Sequence, residues 1–185
     1  MGYLLTDFCA DARSVLSRGS DRDSRGAVRA QLERLLVDPE FCAEYVSASA
    51  PRGMRQIYQD EATGFCVLAY NMTEPRQSPP HDHGRSWAVY GQATGYTDMT
   101  IWTASGPGGR IEPDRQFRLN AGEAGLFDVH DIHSIDYGAG ARFVRVTGVD
   151  MSGEPRRVFD PATGAAREVE SVGAGPAKPA PPRRG

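Results

Sequence analysis

The first fifty residues carry apolar side chains at helical spacing. In 3–18 and again in 27–37, an apolar residue recurs every three or four positions. Pro39 ends the second stretch, because proline disfavours helical backbone in the residue before it, and Pro39 can itself open a short third helix that reaches about Tyr45. None of these helices carries candidate chemistry. We therefore predict an N-terminal helical cap over 1–50 that covers one end or edge of a sheet.

From residue 51 onward the pattern changes to short stretches in which apolar and polar positions alternate. Glycine- or proline-containing turns separate these stretches and no helical pattern intervenes, which favours an antiparallel barrel or sandwich. We therefore predict an all-β core over 51–160. The predicted strands are 54–59, 65–70, 78–91, 96–103, 111–120, 127–137 and 141–149, and 105–110 is a predicted turn.

The end of the chain is rich in glycine, proline and alanine. From Gly173 the sequence has too few apolar side chains to bury a core. We predict that 161–185 is a C-terminal tail that is mostly disordered.

The composition fits one soluble domain and argues against two classes of partner. Among 185 residues, 21 Lys and Arg stand against 24 Asp and Glu, which argues against nucleic-acid binding through bulk electrostatics. No apolar stretch approaches the ~20 residues of a membrane helix, and the N-terminus does not resemble a signal peptide. Cys9, Cys42 and Cys66 form no Cys-x-x-Cys pair and are typical of a reducing compartment, so we expect a cytoplasmic protein.

Two of the four histidines, His81 and His83, are separated by a single residue. On a strand, residues i and i+2 point from the same face about 7 Å apart, so two imidazoles there can converge on one ion at ~2.0–2.1 Å from each nitrogen. Chance can also place two surface histidines this close. The other two, His130 and His133, are close together in a second strand-like segment, and the two pairs together indicate a metal site.

The order of these features resembles the cupin superfamily and, within it, the cysteine dioxygenase-like thiol dioxygenases. The resemblance covers roughly 25–150, and its strongest motif is Pro80-His81-Asp82-His83 with Gly95 downstream. It implies a cupin double-stranded β-helix, a jelly-roll barrel, with an N-terminal helical cap. Many cupins have a glutamate four or five residues after the second histidine, where this chain has Trp87 and Ala88. Thiol dioxygenases also lack that carboxylate and bind iron through three histidines.

The resemblance implies which residues form the site. His133 stands where the third iron ligand of the family falls. His130 is the competing candidate, and its other implied role is a hydrogen bond to a liganding histidine. Asp128 and Asp131 are weaker candidates.

A substrate-binding arginine is also implied. Arg55 stands where cysteine dioxygenases place the arginine that binds the substrate carboxylate in a bidentate fork. The alternative is that Arg55 simply points from its strand into water. Arg76 and Arg85 are further candidates to bind an anion.

The chain departs from the family at two places. Animal cysteine dioxygenases have a cross-linked cysteine where this chain has Ala88, although bacterial relatives lack that cysteine as well. Relatives place serine, histidine and tyrosine at alternate positions of the strand after the third histidine, where this chain has Phe143, Arg145 and Thr147. This second departure argues against cysteine itself as the substrate.

The implied activity is that of a non-heme Fe(II) dioxygenase, which oxidises a small thiol carboxylate to a sulfinate. A second possibility is a cupin dioxygenase that cleaves a carbon–carbon bond of a diketone-like compound, and a third is a non-catalytic cupin that binds a metal or small ligand. Imidazole also suits zinc, nickel and manganese. The expected partners are a small-molecule substrate and dioxygen, with no nucleic acid or membrane, and the protein is expected to be a monomer or a homodimer.

Overall fold

The structure, a computed structural model, describes residues 2–105 and 110–173. The interior of the predicted turn at 105–110 lies outside these residues. In the described part of the chain, three helices precede eleven strands. They are α1 (Leu5–Leu16), α2 (Arg22–Leu36), α3 (Pro39–Tyr45), β1 (Gly53–Gln59), β2 (Cys66–Asn71), β3 (Arg76–Gln77), β4 (Ala88–Thr94), β5 (Tyr96–Ser105), β6 (Arg110–Asn120), β7 (Ala124–Phe127), β8 (Ile132–Tyr137), β9 (Arg142–Thr147), β10 (Pro155–Phe159) and β11 (Ala166–Glu170).

Side-chain caps determine where two of the helices begin. Helix α2 begins earlier than its apolar pattern predicts, because the Asp21 carboxylate accepts a hydrogen bond from the Ser24 amide at 2.8 Å. Helix α3 begins at Pro39 as predicted, and the carboxylate of Asp38 accepts hydrogen bonds from the first amides of that helix. Within the described ranges, no helix is both long enough and apolar enough to cross a membrane.

Nine of the eleven described strands form two antiparallel sheets, and their pairing is nested along the chain. The sheet orders are β1-β2-β9-β4-β7 and β3-β8-β5-β6. The chain forms one long hairpin that contains the successive pairs β2–β9, β3–β8, β4–β7 and β5–β6. This hairpin is folded up, and the additional pairs β4–β9 and β5–β8 connect its folded parts. This nesting defines a jelly-roll barrel, that is, a double-stranded β-helix. The predicted fold class is therefore confirmed.

The five-stranded sheet is buried on both faces. Successive residues of a strand point to opposite faces, so Val67 packs in the cluster formed with the helices while Leu68 packs inside the barrel. Helix α2 approaches β4 closely at Gly91, where a Cβ atom would lie 2.5 Å from Cδ1 of Leu36 and 2.8 Å from Cδ2 of Leu32. The predicted helical cap thus covers the outer face of this sheet, rather than one end or edge.

A C-terminal hairpin of β10 and β11 extends the second sheet. The Asp82 amide donates to the Arg157 carbonyl at 3.1 Å, and the Phe159 amide donates to the Pro80 carbonyl at 2.9 Å. Strand β10 therefore lies beside residues 80–82. Strand β11 falls at the start of the predicted tail, and its mostly polar, exposed sequence gave no apolar alternation from which to predict a strand. The rest of that tail, 174–185, lies outside the described residues.

Candidate metal centre

The backbone holds two of the candidate ligands side by side. The amide of His81 donates to the carbonyl of His133, and the amide of His133 donates to the carbonyl of His81, both at 2.9 Å. His81 also pairs with Val158 of β10 on its other side. The segment that contains the His-x-His motif is therefore fixed between β8 and the C-terminal hairpin.

Asp82, between the two histidines, binds the hairpin. Its carboxylate, fully buried, accepts hydrogen bonds from the Arg157 amide at 2.9 Å, from Arg157 Nε at 2.7 Å and from the Gly84 amide at 3.0 Å. Gly84 has a φ of +56°, and a Cβ atom there would lie 2.3 Å from the Pro155 carbonyl oxygen. A glycine is therefore required where the chain turns after His83.

The structure brings His81, His83 and His133 together. One ring nitrogen from each lies within 4.8 Å of the others. The ring centroids are 4.6 Å apart for His81 and His133, 4.8 Å for His83 and His133, and 5.6 Å for His81 and His83. All three side chains are buried, and His133 is completely inaccessible.

The unpartnered nitrogens of this cluster fit a bound cation. Nδ1 of His81 donates to the Pro79 carbonyl at 2.9 Å, which leaves the lone pair on Nε2. Nδ1 of His83 and both ring nitrogens of His133 are buried without a hydrogen-bond partner. An unsatisfied buried polar group costs about 1–3 kcal/mol, and coordination to a metal ion would satisfy one nitrogen of each ring. The residues present therefore fit a metal ion.

Burial keeps the three imidazoles neutral. It lowers the pKa of His81 to about 4 and the pKa values of His83 and His133 well below the usual value. Charge on a neighbouring histidine lowers the pKa of His83 and of His133 further. Neutral imidazole is the form that coordinates metals, so near pH 7 no proton must leave before a metal binds.

A cavity of about 260 Å³ lies beside the histidines. His81 and His83 contribute to its wall, together with Tyr90 and the guanidinium-bearing side chains of Arg145 and Arg156. The Tyr90 hydroxyl lies 3.1 Å from Nε2 of His83 and accepts a hydrogen bond from Nη1 of Arg145 at 3.5 Å. Tyr90 thus links the histidine cluster to a cationic side of the cavity.

The structure does not bring Arg55 to the histidines. Arg55 Nη2 donates to the Tyr45 carbonyl at 2.5 Å, at the end of α3. Its neighbour on β1, Met54, lines the cavity instead, as expected from the alternation along a strand. Of the other candidate arginines, Arg76 lines the cavity, whereas Arg85 binds Glu154 through Nε at 2.8 Å.

The remaining candidates near His133 also lie outside the cluster. His130 is exposed in the turn between β7 and β8 and has a φ of +70°. Asp128 accepts hydrogen bonds from Arg25 at 2.9 Å and from Arg22. Asp131 caps the same turn by accepting from the Asp128 amide at 2.7 Å.

Three cavity residues were not predicted to belong to the site. Arg145 could have been found from its spacing, since it shares a face of β9 with Phe143, which packs inside the barrel. Tyr90 lies two residues after Ala88 on β4 and faces the barrel for the same reason. Arg156 gave no such signal, because the hairpin that carries it was not predicted.

Comparisons with known proteins find similar folds among solved structures. No protein-family model and no curated protein matches the chain. The cupin domain of Schizosaccharomyces pombe Cnp3 has 14% identity and a TM-score of 0.40 over 51% of this chain and 57% of that chain. KdgF from Halomonas sp. has 12% identity and a TM-score of 0.41 over 56% of this chain and 85% of that one. Hydroquinone 1,2-dioxygenase PnpCD, solved with Cd²⁺, has 13% identity and a TM-score of 0.40 over 54% of this chain and 66% of that chain.

All three TM-scores are below 0.5, and the chain spans little more than half of the Cnp3 domain. The fold is therefore assigned from the strand order alone. Together with the histidine cluster, that order defines a jelly-roll protein with a candidate three-histidine metal site.

Proposed function

We propose that the protein is a non-heme Fe(II) dioxygenase that oxidises a small thiol carrying a carboxylate to the corresponding sulfinate. The observation that carries the proposal is the convergence of three buried, neutral imidazoles beside a small cavity with cationic walls. His81, His83 and His133 would hold the iron. When bound, the iron would supply a redox-active Lewis acid that lowers the pKa of a thiol and reacts with dioxygen.

The reaction balances without a further reductant. The thiol R–SH and one O₂ give R–SO₂H, in which both oxygen atoms form new bonds to sulfur. The sulfur loses four electrons and the dioxygen gains them. The proton of the thiol is returned to the sulfinate or to solvent, so the protein needs to supply only binding, orientation and a site for that proton.

The residues of this chain provide those functions. The guanidinium group of Arg145 fixes the carboxylate of a substrate. The Tyr90 hydroxyl, which lies between Arg145 and His83, can donate its proton to the product and recover the proton that the thiol releases. The stacked rings of Tyr70 and Phe143, with centroids 4.4 Å apart, form an apolar wall that excludes water. A cavity of about 260 Å³ restricts the substrate to a small molecule.

A second candidate is oxidative cleavage of a diketone-like compound. It is favoured by β9, where Phe143 and Arg145 occupy positions at which thiol dioxygenases have polar serine and histidine. An enolate is an anion that the same arginines could bind. The third possibility, a binding protein without turnover, is distinguished by the same experiment.

The experiment is oxygen uptake by protein loaded anaerobically with Fe(II). We expect uptake with 3-mercaptopropionate or a related thiol carboxylate, and a product heavier than the thiol by two oxygen atoms. His133→Ala should bind less iron and lose the uptake, whereas His130→Ala should retain both. Uptake only with diketones would replace the proposal by the second candidate. Stoichiometric iron without uptake on either panel would overturn both and leave a binding protein.

A further inference from the structure

The walls of the cavity carry an excess of positive charge. Arg76, Arg145 and Arg156 all line it, and among the described residues no aspartate or glutamate does. The imidazoles are neutral, and the phenols of Tyr70 and Tyr137 are neutral because burial raises the pKa of each. The protein therefore presents three positive charges to a ligand, before any metal charge is added.

These three arginines have no anionic partner in the part of the chain that the structure describes, whereas two comparable arginines do. Arg157, next to Arg156, binds the buried carboxylate of Asp82 at 2.7 Å. Arg118 binds Asp98 on the surface at 2.7 Å. Within 2–105 and 110–173, none of the three cavity arginines lies within ion-pair distance of a carboxylate.

The guanidinium group of Arg145 has only weak hydrogen-bond partners in the protein. Nη1 reaches the Tyr90 hydroxyl only at 3.5 Å, Nη2 lies 4.0 Å from the sulfur of Met54, and Nε is buried without a partner. The guanidinium carbon lies 5.5 Å from the ring centroid of Tyr70, and this contact offsets part of the cost of burying the charge. The guanidinium N–H groups donate hydrogen bonds in the plane of the group, and a ring face cannot accept them. The two oxygens of a carboxylate can.

Arg156 approaches the same cavity from a different element. It lies on β10, half-buried, and its pKa is lowered by burial and then, despite the nearby Tyr90 phenol, by the positive charges of Arg145 and Arg76. A single carboxylate bound to Arg145 would leave this second cation unpaired. Two acidic groups on one ligand would pair both arginines.

We infer that the cavity binds a small dianion with two separated acidic groups, one held by Arg145 and the other by Arg156. For the reaction at sulfur this inference rests on the proposed function. The binding of a dianion does not depend on it. Applied to that reaction, it predicts a thiol dicarboxylate rather than a thiol with one carboxylate. A molecule the size of mercaptosuccinate meets the limit set by the cavity volume.

The test is calorimetric binding to zinc-loaded protein, in which no redox turnover occurs. The probes are propionate, succinate, inorganic phosphate and 2-mercaptosuccinate. We expect succinate to bind at least ~10-fold more tightly than propionate or phosphate, because only succinate offers a charge-assisted hydrogen-bonded pair to each arginine. Tighter binding of phosphate, or equal binding of propionate and succinate, would overturn the inference.

Matched variants identify the arginines that bind. Arg145→Gln and Arg156→Gln should each weaken succinate ~10- to 100-fold, and Arg145→Lys should recover little, since it loses the planar fork. Arg118→Gln removes the same charge from a surface ion pair and should leave binding unchanged. Loss of binding in Arg55→Gln but not in Arg145→Gln would overturn the inference in favour of Arg55.

Failure of the inference can be told apart from failure of the proposed function. Oxygen uptake with monocarboxylate thiols, combined with no preference for succinate, would refute the dianion and leave the dioxygenase. Tight succinate binding without oxygen uptake by the iron-loaded protein would support the dianion site and refute the dioxygenase. Circular dichroism and zinc content establish that each variant is folded.

Discussion

Replacing Asp82 by asparagine should release the C-terminal hairpin from the segment that carries His81 and His83. Asp82 is fully buried, and its carboxylate accepts two hydrogen bonds from Arg157, at 2.7 and 2.9 Å, and a third from the Gly84 amide at 3.0 Å. Hydrogen bonds from the Arg157 and Gly84 amides and from the Arg157 side chain hold the pKa of Asp82 below its usual value, although burial opposes them. The substitution removes the charge and keeps the volume.

The magnitude follows from those three bonds. A hydrogen bond to a charged acceptor contributes about 1.5–3 kcal/mol, and an exposed ion pair contributes about 0.2–1 kcal/mol. Because the Arg157 side chain is 48% exposed, its guanidinium regains water when the partner is lost, so the smaller figure applies to it. The asparagine oxygen retains part of the two amide bonds, and we expect a loss of about 2–3 kcal/mol.

The assay combines urea denaturation with limited proteolysis. Asp82→Asn should lower the free energy of unfolding and open cleavage sites in 155–170, while zinc binding is kept, since the backbone bonds between His81 and His133 do not involve Asp82. Asp98→Asn is the matched control, because Asp98 also binds an arginine but at the surface. If both variants lose the same small amount and the hairpin stays resistant, Asp82 does not anchor it.

Three further predictions concern the fold and the site. Hydrogen bonds from Thr63, Arg13 and Tyr58 outweigh burial and lower the pKa of Asp60 to about 2 from 3.8. The unfolded chain therefore binds more protons than the folded chain between about pH 4 and pH 2. We expect the free energy of unfolding to fall by about 2 kcal/mol as the pH falls through that window, and Asp60→Asn should lack this loss. Gly91→Val should lower the free energy of unfolding, measured in denaturant, by about 1–3 kcal/mol, because the valine side chain would meet α2. Metal affinity should stay unchanged, and its loss would contradict the separation of the two faces of the sheet. Saturating zinc at ~100 times Kd should stabilise the wild type by about 2.7 kcal/mol and His133→Ala far less, and equal stabilisation of both would place the ion elsewhere.

The parts of the fold that the sequence predicts are those with local signals. The three helices follow from apolar spacing and Pro39, and most strands follow from alternation and turns. The predicted strand at 78–91 is wrong over its first part, because β4 begins only at Ala88 and His81 forms isolated bridges. The start of α2 escaped prediction because a single capping carboxylate, Asp21, extends the helix into a polar segment. Strand β11 escaped it because its pairing with β10, rather than its own composition, makes it a strand.

The histidine cluster was predictable from the sequence, whereas two of the three arginines of the cavity wall were not predicted. His81 and His83 are separated by one residue, and the second histidine pair contains His133, the third member of the cluster. Arg145 shares a face of β9 with Phe143, and this alternation is the signal that could have identified it. Arg55 was chosen from the resemblance; in the structure its side chain contacts the end of α3, whereas Arg145 lines the cavity.

The most direct test of the account is the stoichiometry and affinity of Co(II) binding, followed by its visible absorption. The wild-type protein should bind one ion per chain, and His133→Ala should weaken binding by ~100-fold or more, since even residues that only support a ligand contribute 10- to 100-fold. His130→Ala should bind like the wild type. Undiminished binding in His133→Ala, or no binding by the wild type, would contradict a metal centre formed by His81, His83 and His133.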